Sequence, residues 1–130
     1  MQVPATRTDG GLAGLRILVV EDEFLVALEL EQLLGGRGCH VIGPAPSVGR
    51  ALALIGKERV DAAVLDVNVD GGRVTPVAEA LKAREIPFVL ATGYGTSTFP
   101  EPALCKAPRV NKPVVEAELL RVLCAAITRH

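Results

Sequence analysis

Glu21, Asp22, Asp66, Thr92 and Lys112 are the residues of this chain best suited to chemistry, and each falls at the end of a short run that reads as a strand, mainly apolar in all but the last case. Ile17-Leu18-Val19-Val20 leads into Glu21-Asp22-Glu23, Ala62-Ala63-Val64-Leu65 into Asp66, Phe88-Val89-Leu90-Ala91 into Thr92, and Arg109-Val110-Asn111 into Lys112. Three carboxylates brought together would repel one another, so such a site needs a divalent cation or the ammonium of Lys112 to offset them. Hard oxygen ligands without histidine or thiolate partners select magnesium, with manganese as a substitute, over zinc. A cation there prepares Asp66 to attack a phosphoryl donor, because the transferred group is stabilised mainly by positioning and charge neutralisation. Thr92 would donate to one phosphoryl oxygen and Lys112 would pair with another.

The elements that must position these groups alternate along the chain. A strand at 17–20 is followed by a helix from Leu25 to Leu34, stopped by Gly35-Gly36. Val41-Ile42-Gly43 is a brief second strand, and Ser47 caps the helix that follows. Asp61 to Asp66 is a third, buried strand, with a turn-rich stretch at 67–72 after it. A helix spans Thr75 to Arg84, with Pro76 in its first turn, and Pro87 to Ala91 is the fourth strand. Pro100 and Pro102 leave room for one or two helical turns before the fifth strand, Arg109-Val110-Asn111. Val115, Leu119, Val122, Leu123 and Ala126 mark a closing amphipathic helix. This alternation predicts an α/β fold, a doubly wound five-stranded parallel sheet with right-handed crossovers. Its site should lie beyond the carboxyl ends of the strands, where the acidic residues, Thr92 and Lys112 all fall.

A chain of 130 residues is one domain in length, and the expected layout is a flexible N-terminal arm at 1–14 with the domain at 15–130. With 49% hydrophobic and 22% charged residues it has the apolar content to fold. Fourteen basic against fifteen acidic side chains supply no broad field for nucleic acid or an anionic membrane. Phe24, Phe88, Phe99 and Tyr94 are too few aromatics for base-stacking platforms. Cys39, Cys105 and Cys124 form no CxxC and are odd in number, which points to a reducing compartment and against a disulfide framework. His40 and His130 are too few for a histidine metal site. No run of about 18 apolar residues is present, so the expectation is a cytoplasmic protein without membrane or direct nucleic-acid partners.

Each site residue has a plain alternative. A strand-end Asp often caps the next turn, acids favour a helix N-terminus, and Thr or Lys in a loop is commonly solvated. The joint placement of all of them at strand ends separates this chain from those cases. Asp66-Val67-Asn68-Val69-Asp70-Gly71 matches half a calcium loop, but Val77 stands where a bidentate Glu is required, and a strand precedes it. An aspartate-nucleophile phosphohydrolase would want Asp-x-Asp with the second Asp as acid and base, and Asn68 occupies that place.

From Leu15 to Ile127 the sequence resembles a bacterial response-regulator receiver domain, the phosphoacceptor of two-component signalling. The resemblance rests on the ordered set Glu21-Asp22, Asp66, Thr92 and Lys112-Pro113. It implies a flavodoxin-like (βα)5 fold with strand order 2-1-3-4-5 and a fourth helix that the prolines keep short. It makes Asp66 the phosphoacceptor and Asp22 a direct magnesium ligand, with Glu21 acting through water and the Asn68 backbone carbonyl completing the protein ligands. Thr92 becomes the switch hydroxyl, Lys112 the phosphate partner and Pro113 a candidate cis-proline. The implied partners are a sensor histidine kinase or phosphotransfer protein and an unnamed downstream protein target, the chain acting as a single-domain regulator. A phosphohydrolase of the haloacid dehalogenase type and a pseudo-receiver that only docks partners are the alternatives. Where the family usually carries Tyr or Phe three residues before the lysine, this chain has Arg109. Leu90-Ala91-Thr92-Gly93-Tyr94 resembles instead a subgroup with a Phe-Ala-Thr-Gly-x-Tyr motif, with Leu90 for Phe and Tyr94 one position early. Tyr94, flanked by Gly93 and Gly95, is therefore expected to transmit the signal through residues 92–106, and Arg109 to contribute much less.

Overall fold

The structure is a computed structural model that describes residues 11–70, 72–93 and 99–129. The elements run β1 (Arg16–Val20), α1 (Phe24–Gly36), β2 (His40–Ala45), α2 (Val48–Lys57), β3 (Ala62–Asp66), β4 (Asn68–Val69), β5 (Gly72–Arg73), α3 (Thr75–Ala83), β6 (Phe88–Thr92), α4 (Pro102–Cys105), β7 (Arg109–Asn111) and α5 (Glu116–Thr128). Five strands form one parallel sheet in the order β2-β1-β3-β6-β7, which is 2-1-3-4-5 when those strands alone are counted. The apolar runs of the inner strands β1, β3 and β6 are buried on both faces, as parallel strands under helices must be, while the edge strands β2 and β7 are only partly buried. One face packs Leu18, Leu65 and Leu90 with residues of α2, α3 and α4, and the other packs Ile17, Val64 and Val89 with α1 and α5.

Local chemistry fixes most element ends. Ser47 Oγ accepts from the Arg50 amide at 3.2 Å and starts α2. Pro76 opens α3, whose missing donor is unneeded in a first turn. Pro102 likewise starts α4, which is only four residues long. Gly43 has φ +95°, and a Cβ there would stand 2.7 Å from the Ala45 amide nitrogen and 3.1 Å from the Val19 carbonyl oxygen. That close passage puts the Ala45 carbonyl 2.9 Å from the Glu21 amide, which carries the β1–β2 pairing one residue past β1.

The structure departs from the sequence reading in four places. The stretch after Asp66 is an antiparallel hairpin, with Asn68 opposite Arg73 and Val69 opposite Gly72, because even two-residue strands can pair when the chain reverses at once. Residues 11–14 belong to the fold: Leu12 is wholly buried against α1 and α5, and the Gly14 amide bonds the Gly38 carbonyl at 2.8 Å. Residues 1–10 lie outside the described residues. Leu25 does not face the core, since α1 buries Ala27, Leu30 and Leu34 and leaves Phe24 and Leu25 76% and 71% exposed. Val115 precedes α5 rather than joining its buried stripe of Leu119, Leu123 and Ala126. Among the described residues no helix is long and apolar enough to cross a membrane.

Candidate functional site

The carboxyl ends of β1, β3, β6 and β7 bring the charged residues together. Glu21 turns inward from the end of β1, its side chain fully buried, with Oε2 accepting from the Glu23 amide at 3.1 Å. Its Oε1 lies 2.9 Å from Lys112 Nζ, and the same ammonium is 3.1 Å from Asp66 Oδ2 and 3.9 Å from Glu23 Oε1. Asp66 ends β3 almost buried, and its Oδ1 accepts weakly from the Asn68 amide at 3.4 Å. One oxygen from each of Glu21, Asp22 and Asp66 falls within 4.8 Å of the others, although Asp22 itself is exposed.

One ammonium against this many carboxylates leaves the cluster short of positive charge. Burial pushes the Glu21 carboxyl above its ordinary range and Asp66 adds to the rise, while Lys112 and the Glu23 amide oppose it. Burial alone would lower Lys112, yet its contacts with Glu21 and Asp66 carry it above its ordinary value. Although Lys112 is close to Glu21 Oε1, the contact is an ion pair without hydrogen-bond geometry, and that buried oxygen has no hydrogen-bond partner among the described residues. An unsatisfied buried oxygen, surplus negative charge and an all-oxygen donor set fit a hard divalent cation such as Mg²⁺. Glu21, Asp22 and Asp66 are the side chains that could hold it.

Thr92 ends β6 buried, and its carbonyl accepts from the Lys112 amide at 2.7 Å, so the two residues are locked side by side. Asn68 heads β4 beside Asp66, Gly93 is exposed, and the Lys112–Pro113 peptide bond is cis. Tyr94 and Gly95 lie outside the described residues.

A second cluster escaped the sequence reading. Phe99, buried before α4, lies between two guanidinium groups, with Arg73 5.2 Å and Arg109 5.0 Å from its ring centroid. Arg73 Nε also donates to Glu101 at 2.7 Å, and Arg109 Nη2 donates to the carbonyls of Leu104, Cys105 and Ala107 at 3.3 to 3.4 Å. The Glu101 carboxyl is held below its usual range by its own amide and by Arg73. The hairpin after Asp66 is thus tied to α4, and α4 to β7. Arg109 is exposed only in part because it binds carbonyls and an aromatic face. Only tertiary structure brings 73, 99 and 109 together, so no sequence spacing announced them.

The family model described as the response regulator receiver domain matches residues 17–123. The chain belongs to that family. The receiver is 32% identical over 118 residues to the phyllosphere-induced regulator PhyR of Methylorubrum extorquens, covering 85% of this chain and 43% of that protein. It is similar to the solution structure of SdrG from Sphingomonas melonis Fr1, with 42% identity, TM-score 0.75, and coverage of 88% of this chain and 97% of that one. A second SdrG structure, from Pseudomonas melonis Fr1 and titled as the BeF3-activated conformation, is 40% identical with TM-score 0.74, covering 88% and 98% of the two chains. The receiver spans less than half the length of the curated relatives it matches. Receivers of this family are signalling domains of two-component systems rather than enzymes.

Proposed function

We propose that this receiver accepts a phosphoryl group on Asp66 from a histidine kinase or phosphotransfer protein and signals by phosphorylation-dependent binding to another protein. The observation that carries the reading is the Asp66 carboxylate 3.1 Å from the Lys112 ammonium and grouped with Glu21 and Asp22. An Asp66 oxygen attacks phosphorus, forming an O–P bond as the N–P bond of the donor's phosphohistidine breaks; the electron pair stays on that nitrogen, and the imidazole leaves neutral, keeping the proton its other ring nitrogen already carried. Lys112, freed from part of its attraction to the Asp66 carboxylate, pairs with a phosphoryl oxygen, and the Thr92 hydroxyl donates to another. Asp22 and Asp66, with the Asn68 carbonyl and with Glu21 through water, would hold a Mg²⁺ ion, which would supply positive charge to the phosphoryl oxygens. Phe24 and Leu25, exposed on α1 next to Asp22, offer the donor protein an apolar landing beside the acceptor. The BeF3-activated form of SdrG supports acceptance, since that anion mimics a phosphoryl group.

The signal is proposed to leave through residues 92–106, with Tyr94, Gly93 and Gly95 as its transmitters. The hairpin contact of Arg73 with Phe99 and Glu101 gives it a second route into α4. The test is intact mass after incubation with acetyl phosphate and Mg²⁺. Wild type gains one phosphoryl group, and Asp66→Asn, which keeps the shape without the nucleophile, gains none. Labelling of Asp66→Asn, or none of wild type, overturns the reading, the latter in favour of a module that docks partners without phosphoryl transfer.

A further inference from the structure

At the amino ends of β6 and β7, remote from Asp66, two cavities of about 200 and 310 Å³ share Pro108 and Arg129. We propose that this groove binds an acidic, leucine-bearing segment of a protein partner, at a surface separate from the acceptor site. Lys82, Lys106 and Arg129 line the first cavity, and Arg109, Arg121 and Arg129 the second, with no carboxylate among the described residues that line either. These five take a large share of the fourteen basic residues and leave nine elsewhere against fifteen acidic ones. The charge is segregated rather than abundant. Lys82, Lys106, Arg121 and Arg129 make no ion pair among the described residues, and the acids nearest to them in sequence, Glu79, Glu85, Glu101 and Glu118, line neither cavity.

A simpler account would make these cations complements to helix ends. Lys82 does stand in the last turn of α3, and Lys106 and Arg129 at the C-caps of α4 and α5, where a helix end offsets about half a charge at most. Arg121 inside α5 faces no helix end, and Arg109 on β7, though it binds the carbonyls at the end of α4, keeps its charge because those acceptors are neutral. The groove therefore keeps a net positive potential that helix capping does not consume. Its floor is apolar, with Ile86, Pro87 and Ala126 in one cavity and Val122 and Ala125 in the other. Carboxylates flanking apolar side chains match that pattern. A nucleic acid matches it poorly, because the lining's aromatic ring, Phe88, is buried and offers no stacking face. Arg109 belongs both to this groove and to the Phe99 sandwich.

The test is fluorescence anisotropy at low salt with a labelled synthetic peptide carrying Glu and Leu at helical spacing. A Gln-for-Glu peptide and a single-stranded oligonucleotide serve as comparisons. The exposed pair Lys106→Glu with Arg129→Glu reverses charge without touching the core. The Glu peptide should bind wild type and lose about tenfold or more in affinity, both for the double variant and when Gln replaces Glu. Phosphorylation of Asp66 by acetyl phosphate should be unchanged in the variant, which also reports that it folds. No binding of the Glu peptide, equal binding to the double variant, equal binding of the Gln peptide, or tighter binding of the oligonucleotide through these residues would each overturn the proposal.

Discussion

Replacing Lys112 with methionine keeps much of the side chain's length and apolar body while deleting the one cation that faces both Glu21 and Asp66. At an effective dielectric near 20, contacts of 2.9 and 3.1 Å each carry about 5 to 6 kcal/mol of gross attraction. Desolvating the ions offsets several kcal/mol per charge, so the net loss on breaking a buried pair is about 3 to 5 kcal/mol. Because Lys112 and Asp66 keep some solvent contact, the lower end applies, about 3 kcal/mol. With a urea slope of about 1 to 3 kcal/mol per molar, Lys112→Met should lower the unfolding midpoint by about 1 to 3 M at pH 7 in a chelator. Two conditions should shrink that deficit. Glu21 is raised in the folded state, so its contribution is fully present below its unfolded value of 4.5 and is lost as pH rises through the folded value. Without Lys112 the rise is larger, so acidifying toward pH 5 should recover more stability in the variant than in wild type. Mg²⁺ should also stabilise the variant, by about 2.7 kcal/mol at a hundredfold excess over the variant's own dissociation constant, and by more than it stabilises wild type at the same concentration, because no ammonium competes for the carboxylates. Equal midpoints at pH 7 in the chelator, or a deficit indifferent to both acid and Mg²⁺, would refute the reasoning.

Asp22→Ala should abolish Mg²⁺-dependent phosphorylation by acetyl phosphate and Glu21→Ala should only weaken it, which intact mass and metal titration of the two variants would check. Lys112 is raised above 10.5, so its stabilisation is present below that pH and lost as pH rises through the folded value, and alkaline unfolding should shift to lower pH in Glu21→Gln. Arg109→Ala should cost about 1 to 2 kcal/mol through the Phe99 face and the carbonyls at the end of α4, seen as faster amide exchange there, while phosphorylation persists. Tyr94→Ala should uncouple phosphorylation from partner binding, and Arg109→Ala should do so much less, measured with a phosphorylated protein and a known partner.

The three inner strands were legible because a strand buried on both faces must be apolar throughout, as Ile17 to Val20 is, and the two edge strands by their place in the alternation of elements. The same logic put the site residues at strand ends, and Glu21, Asp22, Asp66 and Lys112 do converge. The hairpin at 68–73 was not legible, since strands of two residues carry no periodicity and Asn, Asp and Gly read as turn. In α1 apolar residues occur all around the helix, so its pattern did not separate the buried Leu30 from the exposed Leu25. Arg109 was read as a charge ill suited to an apolar space. Its place was settled by an aromatic ten residues earlier in the chain, a pairing that only the fold creates.

Leu12 sets where this domain may be cut or joined. The family match begins at Ile17, whereas Leu12, five residues earlier, is fully enclosed with Leu30, Leu34 and Leu119. Its carbonyl also accepts from the Leu15 amide at 3.0 Å and from Cys39 Sγ at 3.6 Å. A truncation at the family boundary would discard an anchor whose loss as a leucine-to-alanine change costs about 2 to 5 kcal/mol. Against a total stability of about 5 to 15 kcal/mol, such a fragment would be a weakened domain. Any chimera that grafts this receiver onto another protein should therefore place its seam before Gly11.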